Sequence, residues 1–442
     1  MEPERTAHRE LPAGWAGWRQ NLLSVAAMRR HIVWLIAACA SGLGAYLFNV
    51  TEQASEDARR WMHEISPLLP AVAVALSIPL ICWLRDRIFP GTDGTGIPQT
   101  MAALTVPNGE GRRSVLSLRI TVGKILLLIL GLFGGATIGR EGPSVHVGAC
   151  LMHLSGRFAR FQRHLVERGL ILAGGAAGIA AAFNAPIAGA VFAFEEIGRS
   201  FEKNNAGTIV RTAVVACLVN IVFLGDYYFY GKLDVGLDSL EAWLCVPIVG
   251  ALGGLLGGAF ARGVILVNGY LAPIRKTHPL ALAIGLGCSL GLLGLLSGGL
   301  SYGSGYGAAR EILIDGGTAS VVLAPAVAIG NFISLISGIP GGLFDPSLTT
   351  GAALGQLAGP LFPALDPRAL VLLFMGAYFA GVVQSPITAF VILVEMTGSH
   401  KMALPLSLAT LIAYEISHLV CRTALYEALA ESFLEAIGPR KG

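Results

Sequence analysis

Long apolar runs separated by short polar segments make up most of the chain. The first apolar run covers residues 31–50 and the second covers residues 68–84. Each is close to the length of about 20 residues that a helix needs to cross the hydrocarbon core of a bilayer. The polar stretch from Thr51 to Pro67 lies between them and carries several acidic residues. We predict two membrane-crossing helices joined by this stretch as a loop, which the positive-inside rule places outside the cell.

Further apolar runs follow along the chain, and several are too short for a straight crossing. They cover residues 116–135, 170–197, 209–224, 243–268, 280–300, 321–338, 347–363, 369–381, 386–397 and 404–420. Asn184-Ala185-Pro186 interrupts one of them, and a helix breaks there because proline lacks a backbone donor and clashes with the preceding turn. We therefore predict an all-α polytopic membrane protein with tilted and broken helices.

Composition supports a membrane protein and excludes an ordinary soluble domain. Hydrophobic residues make up 54% of the chain and charged residues 13%, whereas soluble domains have about 25% charged residues. The 57 glycines are typical of closely packed membrane helices. The seven cysteines are scattered in apolar segments without CxxC or histidine pairing, so we expect neither disulfides nor a metal site. Residues 1–20 are polar, so we expect no secretory signal and a cytoplasmic N-terminus.

The segment Gly139-Arg140-Glu141-Gly142-Pro143 places a charged dipeptide inside an apolar run. Ionisable residues at membrane depth usually mark a functional site. Pro143 suits the first turn of a helix, so we predict a helix that starts near Glu141. The N-terminus of such a helix attracts anions, and the Glu141 carboxylate would compete for the same place as a gate. The alternative is that Arg140 and Glu141 form a solvated loop pair between two spans.

A second broken-helix pattern precedes it. The glycine-rich turn Gly91 to Gly96 is followed by Pro98, which can open a helix, and by an apolar piece of residues 101–106 that is too short to span. We predict a half-helix here. Half-helices of this kind hold substrates near the midplane in membrane transporters.

An internal repeat relates the two halves of the chain. The pattern Gly139, Pro143-Ser144, Gly148-Ala149 recurs 203 positions later as Gly342, Pro346-Ser347, Gly351-Ala352. Pro186 with Glu195 recurs 200 positions later as Pro386 with Glu395. We predict two duplicated halves whose half-helix N-termini face one central, anion-selective site. The expected organisation is a cytoplasmic N-terminal segment (1–30), repeat 1 (31–225), an external linker (226–240), repeat 2 (241–435) and a C-terminal tail (436–442).

At these positions the chain resembles the CLC family of chloride channels and anion/proton antiporters. Four motifs and one tyrosine carry the resemblance over about residues 30–435: Gly94-Thr95-Gly96-Ile97-Pro98, Gly139-Arg140-Glu141-Gly142-Pro143, Gly178-Ile179-Ala180-Ala181-Ala182-Phe183-Asn184-Ala185-Pro186, Gly341-Gly342-Leu343-Phe344-Asp345-Pro346, and Tyr426. The resemblance implies a homodimer with one pore in each subunit. It also implies two inverted-topology repeats in each subunit and roughly eighteen helices, many of them tilted or broken. It is to the bacterial type, for which we expect no cytoplasmic regulatory domain pair.

The resemblance also implies a role for individual residues in exchanging chloride for protons. Glu141 would be the external gate and Glu196 the internal proton-transfer residue. The anion would be bound by the Thr95 hydroxyl, the amides of Leu343 and Phe344, Gly142 and Tyr426, and Arg140 and Lys124 would support the site. The chain departs from the family twice, since Thr95 replaces the usual serine and Asp345 replaces a residue that is usually uncharged.

From the same resemblance we expect small inorganic anions and protons as the transported species. We expect no cofactor, no nucleic-acid partner and no enzymatic activity. The location would be the cell (inner) membrane, with multiple crossings of the lipid bilayer and both termini in the cytoplasm.

Other interpretations remain open from the sequence. Within the family these are a passive chloride channel and a fluoride/proton antiporter. Gly299-Leu300-Ser301-Tyr302-Gly303 fits GxSxG, but a serine hydrolase needs a preceding strand and a His–Asp pair, which are not evident. His146 and His153 could hold a metal, although packed histidines are the commoner arrangement. Glu195 and Glu196 could simply mark a water-exposed helix end.

Overall fold

A computed structural model describes residues 25–106, 110–158, 164–199, 203–318 and 320–437. This part of the chain contains eighteen α-helices. They are α1 Val25–Ile65, α2 Leu68–Arg87, α3 Ile97–Thr105, α4 Glu110–Arg113, α5 Leu118–Gly134, α6 Glu141–Phe158, α7 His164–Phe183, α8 Pro186–Phe192, α9 Lys203–Leu224, α10 Leu240–Thr277, α11 Pro279–Leu296, α12 Tyr306–Arg310, α13 Leu323–Ser337, α14 Phe344–Ala358, α15 Pro367–Val383, α16 Pro386–Thr397, α17 Ala403–Val420 and α18 Leu425–Ile437. Most of the predicted N-terminal segment, and residues 438–442 of the predicted tail, lie outside the described residues.

Long apolar helices confirm the prediction of a multi-pass, all-helical membrane protein. Seven helices in the described ranges are long and apolar enough to cross a membrane. Others are shorter, including α13, α15 and α16. The protein therefore combines helices long enough to cross a membrane with shorter apolar helices.

The prediction of a loop between Thr51 and Pro67 is wrong, because α1 continues to Ile65. Residues 51–65 are rich in alanine, glutamate and arginine, which favour helix. Glu56 and Arg60 form an ion pair of 3.6 Å at spacing i, i+4. The prediction assumed that the acidic residues of this stretch face water. Glu52, which is one of them, is instead buried against protein.

The predicted helix break at Pro186 is present, and repeat 2 contains a break that is built in the same way. In repeat 1, α7 ends before Asn184, which has a left-handed φ of 53°, and α8 begins at Pro186. In repeat 2, α15 ends before Gln384, with a φ of 58°, and α16 begins at Pro386. A left-handed residue ends a helix and proline begins the next one.

Glycines allow backbones of neighbouring helices to touch near the centre. A Cβ atom placed on Gly174 of α7 would lie 2.6 Å from the carbonyl carbon of Gly148 in α6. A Cβ on Gly178 would meet the backbone of Ser144 in the same way. This close approach holds the start of α6 rigidly against α7.

Candidate anion and proton site

One pair of backbone hydrogen bonds brings the two repeats together. The Gly139 amide donates to the Gly342 carbonyl (2.9 Å) and the Gly342 amide donates to the Gly139 carbonyl (2.6 Å). A short distance further along each segment a helix begins, α6 at Glu141 and α14 at Phe344. The start of α6 agrees with the helix predicted near Glu141. A side chain on either glycine would collide with the Glu141 carboxylate, so this carboxylate lies directly over the bridge.

A third helix start contacts that of α6. Helix α3 begins at Ile97 after Gly96, whose φ of 101° suits glycine alone. A Cβ on Gly142 would lie 2.7 Å from the Thr95 carbonyl oxygen, so the starts of α3 and α6 are in contact. The first four N–H groups of each helix have no partner within the helix. Their positive partial charges converge here and favour an anion.

Lys124 fixes the loop that leads into α3. Its ammonium group is fully buried and donates to the carbonyl oxygens of Thr92 (2.9 Å), Asp93 (3.1 Å) and Gly94 (2.8 Å). The Gly94 amide in turn donates to the Gly338 carbonyl at 3.1 Å. The loop carrying Thr95 is therefore held from both repeats.

Two hydroxyl groups lie in this region with hydrogens available to donate. The Tyr426 hydroxyl, on α18, is fully buried and has no hydrogen-bond partner among the described residues. Its ring lies 6.5 Å from the ring of Phe344, centroid to centroid. The Thr95 hydroxyl accepts a long bond of 3.4 Å from the Ile97 amide. Accepting that bond leaves its own hydrogen free for another acceptor.

Glu141 is the carboxylate closest to the bridge. It is 0% exposed, and neither of its oxygens has a hydrogen-bond donor in the described part of the chain. An ionised carboxylate that is buried without a donor costs several kcal/mol, roughly. The group is therefore arranged either to be neutral or to move.

Arg140, next to Glu141 in the chain, is held by α1. Its guanidinium donates to Glu52, in a very short contact, and to the Asn49 amide oxygen at 3.1 Å. Ser304 also donates to Glu52, and the guanidinium lies over the Phe229 ring at 5.3 Å. The sequence did not lead us to Glu52, because the stretch from Thr51 to Pro67 was predicted to be a loop. The helical spacing of Asn49 and Glu52 near one face of α1 was the available signal.

Glu196 is buried behind the break at Pro386. It is 2% exposed and accepts a hydrogen bond from the Ser385 hydroxyl, while its other oxygen has no partner in the described ranges. It lines a cavity of about 750 Å³ together with His418, Arg422 and Glu427. Glu427 follows Tyr426 in the chain, so this cavity reaches the helix that carries the tyrosine.

Its neighbour Glu195 has a different partner. The Glu195 carboxylate accepts hydrogen bonds from the Ile387 (3.0 Å) and Thr388 (2.6 Å) amides, which caps the N-terminus of α16. Glu395 of α16 accepts from the Ile187 (3.2 Å) and Ala188 (2.6 Å) amides and caps α8. The two repeats therefore cap each other. Glu195 is held in this role, so the two glutamates are not a plain water-exposed helix end.

The family model for voltage gated chloride channels matches residues 78–418. The chain belongs to the voltage-gated chloride channel (CLC) family. The expected resemblance is thus confirmed.

Individual relatives agree with the family assignment. The H(+)/Cl(−) exchange transporter ClcA of Vibrio parahaemolyticus is 28% identical over 420 residues, covering 91% of this chain and 89% of that protein. The structure of a slow cyanobacterial Cl−/H+ antiporter has a TM-score of 0.80 at 24% identity, covering 94% of this chain and 99% of that one. A CLC-type fluoride/proton antiporter has a TM-score of 0.75 at 21% identity, covering 92% and 98%. The structural matches show that the predicted CLC fold is correct.

The remaining candidates of the sequence analysis have other environments in this CLC protein. The His146 Nε2 atom lies 3.0 Å from the Val115 carbonyl oxygen. No group of three His, Cys, Asp or Glu side chains suited to a metal occurs within the described ranges. Ser301 lies in turns between α11 and α12, and its carbonyl accepts from Thr137. A serine hydrolase needs a strand immediately before its nucleophilic serine. Here the helix α11 precedes Ser301 instead.

Proposed function

We propose that this protein exchanges chloride, or a similar monovalent anion, for protons across the membrane. Glu141 is the gate and Glu196 is the internal proton-transfer residue in this proposal. Its main support is one observation: a buried carboxylate without a donor lies where three helix N-termini converge. The name of the Vibrio relative, an H(+)/Cl(−) exchange transporter, points to the same activity.

The anion would bind between the helix starts and the two hydroxyls. The Thr95 and Tyr426 hydroxyls, the amides of Leu343 and Phe344, and the backbone at Gly142 can offer donors to a small anion from several sides. Lys124 supports this site by fixing the Thr95 loop through three carbonyls. Arg140 supports it from the other side, because its bonds to α1 hold the segment that precedes Glu141.

The proton would follow from competition between Glu141 and the anion. When Glu141 is ionised, its carboxylate occupies the place that the helix N-termini offer to an anion. Burial favours its neutral form, and protonation removes the attraction to the helix ends, so the side chain leaves and an anion enters. Exchange follows because each departure of the carboxylate requires a proton.

Glu196 would connect this proton to the other side. It lies on a cavity that is lined by polar side chains and that reaches its carboxyl group. In this proposal the proton passes through this cavity and Glu196, and the anion passes beside Thr95 and Tyr426. A passive channel has no need of a buried carboxyl on a second path, so Glu196 favours exchange over the channel alternative.

The remaining features of the proposal concern assembly and placement. We propose a homodimer with one pore in each subunit, in the cell inner membrane, with both termini cytoplasmic. We also retain the division into repeats at residues 31–225 and 241–435. Cysteine accessibility at both ends of the chain and crosslinking in the bilayer test these points.

The deciding experiment reconstitutes the purified protein in liposomes and records anion efflux and proton uptake together. Under a chloride gradient we expect chloride efflux to drive protons against their own gradient. Chloride flux without proton movement would instead identify a passive channel. A rate that is much greater with fluoride than with chloride would identify a fluoride exchanger.

A further inference from the structure

A second carboxyl group lies at the start of α14. Asp345 is in the first turn of this helix and is 0% exposed. Neither of its oxygens has a hydrogen-bond donor in the described part of the chain, and the same holds for both oxygens of Glu141. Four buried carboxyl oxygens are therefore without donors in one small region.

The backbone bridge explains why these groups meet. Glu141 follows Gly139 and Asp345 follows Gly342, and these glycines are paired by two hydrogen bonds. The two carboxyl groups lie within hydrogen-bonding reach of each other. The backbone pairing of Gly139 with Gly342 therefore holds the Glu141 and Asp345 carboxyl groups close together.

Within the described ranges, the groups around Glu141 and Asp345 do not include a positive charge that is bonded to either carboxyl group. The charged ones are Arg140 and Glu52, and these bond to each other. Three tyrosines also face one or both carboxyls: Tyr230, Tyr306 and Tyr426. Tyr306 donates its hydroxyl to the Phe229 carbonyl at 2.8 Å. Among the described residues, one cation, Arg140, therefore faces three carboxyl groups.

Two ionised carboxylates in contact repel each other and are both acceptors, so they cannot bond. One proton removes the conflict, because a protonated carboxyl donates an O–H and its partner accepts. Burying two unpaired charges side by side is far costlier than holding that proton. The arrangement at Glu141 and Asp345 therefore requires at least one proton when no anion is bound.

We propose that Glu141 and Asp345 share one proton, which makes Asp345 a part of the outer gate. This inference rests on the proposed function and deepens it, because it assigns the regulation of the same site. Asp345 has two effects on transport. Its negative charge makes the gate take up its proton at a higher external pH, and it opposes an anion entering from outside.

The test replaces Asp345 with asparagine, which keeps the shape and removes the charge. In Asp345→Asn we expect coupled exchange to continue, with the external pH of half-maximal transport lower by about one unit. We also expect half-saturation at a severalfold lower external chloride concentration. If Asp345 only caps α14, asparagine serves equally well as a cap and both values stay at the wild-type level, which would overturn the proposal.

Controls separate this inference from folding and from the proposed function. Asp238→Asn removes an exposed aspartate and leaves both values unchanged. If Asp345→Asn does not yield folded protein, Asp345→Ala is measured in its place. One outcome would refute the shared proton and leave the proposed function standing. In it, the wild-type protein exchanges chloride for protons, Glu141→Gln abolishes proton movement, and the Asp345 variant has the wild-type pH and chloride values.

Infrared spectroscopy tests the shared proton without any transport. In anion-free wild-type protein we expect the carbonyl band of a protonated carboxyl that disappears in both Glu141→Gln and Asp345→Asn and remains in Glu196→Gln. Retention of that band in both gate variants would contradict the pair. This readout holds even if the protein proves to exchange no protons, in which case only the proposed function fails.

Discussion

The two repeats use the same backbone plan but carry different chemistry on it. Gly139 and Gly342 pair with each other, and Glu195 and Glu395 cap each other's repeat. The breaks at Asn184 and Gln384 share a left-handed residue followed by a helix that starts at proline. These equivalent positions perform equivalent structural tasks.

Elsewhere the equivalence fails. The position equivalent to Glu141 is Phe344, which lies among aromatic rings and offers its amide. The position equivalent to Glu196, at the same offset of 200, is Met396, which is fully buried. The comparison teaches that residues matched between repeats build the scaffold, whereas the unmatched carboxyls are the candidates for moving protons.

The largest effect is expected from replacing Glu141, a carboxyl group that has no counterpart in repeat 2. Glu141→Gln mimics a permanently protonated gate, so we expect proton movement to cease while anion flux continues. Simultaneous recording of chloride and protons in liposomes measures both. Glu64→Gln, at an exposed position of α1, serves as the control and retains coupling. Intact proton pumping in Glu141→Gln would remove Glu141 from the mechanism.

The next effect sharpens the contrast between neighbours. Glu196→Gln is expected to abolish proton uptake with anions still passing, while Glu195→Gln leaves coupling nearly intact. The reason is that both Glu195 oxygens are bonded to amides of α16. Both glutamates line the cavity, but one oxygen of Glu196 has no hydrogen-bond partner among the described residues. Met396→Leu changes the equivalent position of repeat 2 and leaves coupling unchanged. Uncoupling by the Glu195 change alone would reverse the assignment of the two glutamates.

A smaller effect concerns the anion itself at Thr95. Thr95→Val removes a hydroxyl at nearly constant volume. A hydrogen bond to a charged group is worth roughly 1.5–3 kcal/mol, so affinity falls on the order of tenfold to a hundredfold. Calorimetric anion binding measures this loss, and Thr95→Ser keeps the bond while changing the ranking of large against small anions.

The Thr95 prediction has a structural competitor. The Ile97 amide bonds the Thr95 hydroxyl at 3.4 Å, so the residue also acts at the start of α3. If that were its only task, Thr95→Val would lower protein stability with anion affinity and selectivity unchanged. Such a result in folded protein would exclude the hydroxyl as a ligand.

The smallest effect tests whether the matched caps are equivalent. Glu395→Gln and Glu195→Gln each weaken one reciprocal cap, so we expect each to lower the free energy of unfolding by about 1 kcal/mol. Thermal melts of the purified variants measure the change. Equal losses with coupling retained support a purely structural pair, and lost coupling in Glu395→Gln would contradict that division.

Some features of the site were predictable from sequence and others were not. Gly139 to Pro143 predicted a helix start with a buried carboxylate because glycine, charge and proline occur there together. The continuation of α1 to Ile65 was missed because acidic residues are also compatible with a solvated loop, although the composition of residues 51–65 favours helix. The partner of Glu52 lies 88 residues away in the chain, so its burial depends on tertiary contacts.

The reciprocal caps illustrate the same limit. The repeat made Glu195 and Glu395 equivalent, but only the packing of α8 on α16 places each carboxylate on the other helix. The resemblance to the CLC family assigned proton transfer to Glu196 and not to Glu195, but it gave no physical reason for this assignment. The hydrogen bonds of Glu195 now supply that reason.

The Gly139–Gly342 bridge has a consequence for how access alternates. Many transporters open to one side and then the other by rocking one repeat against its partner as rigid bodies. Here two backbone hydrogen bonds join the repeats beside the gate, and four more join them at the Glu195 and Glu395 caps. Rocking would have to break these bonds in every cycle. We therefore expect access to change by rotation of single side chains while the helices stay in place.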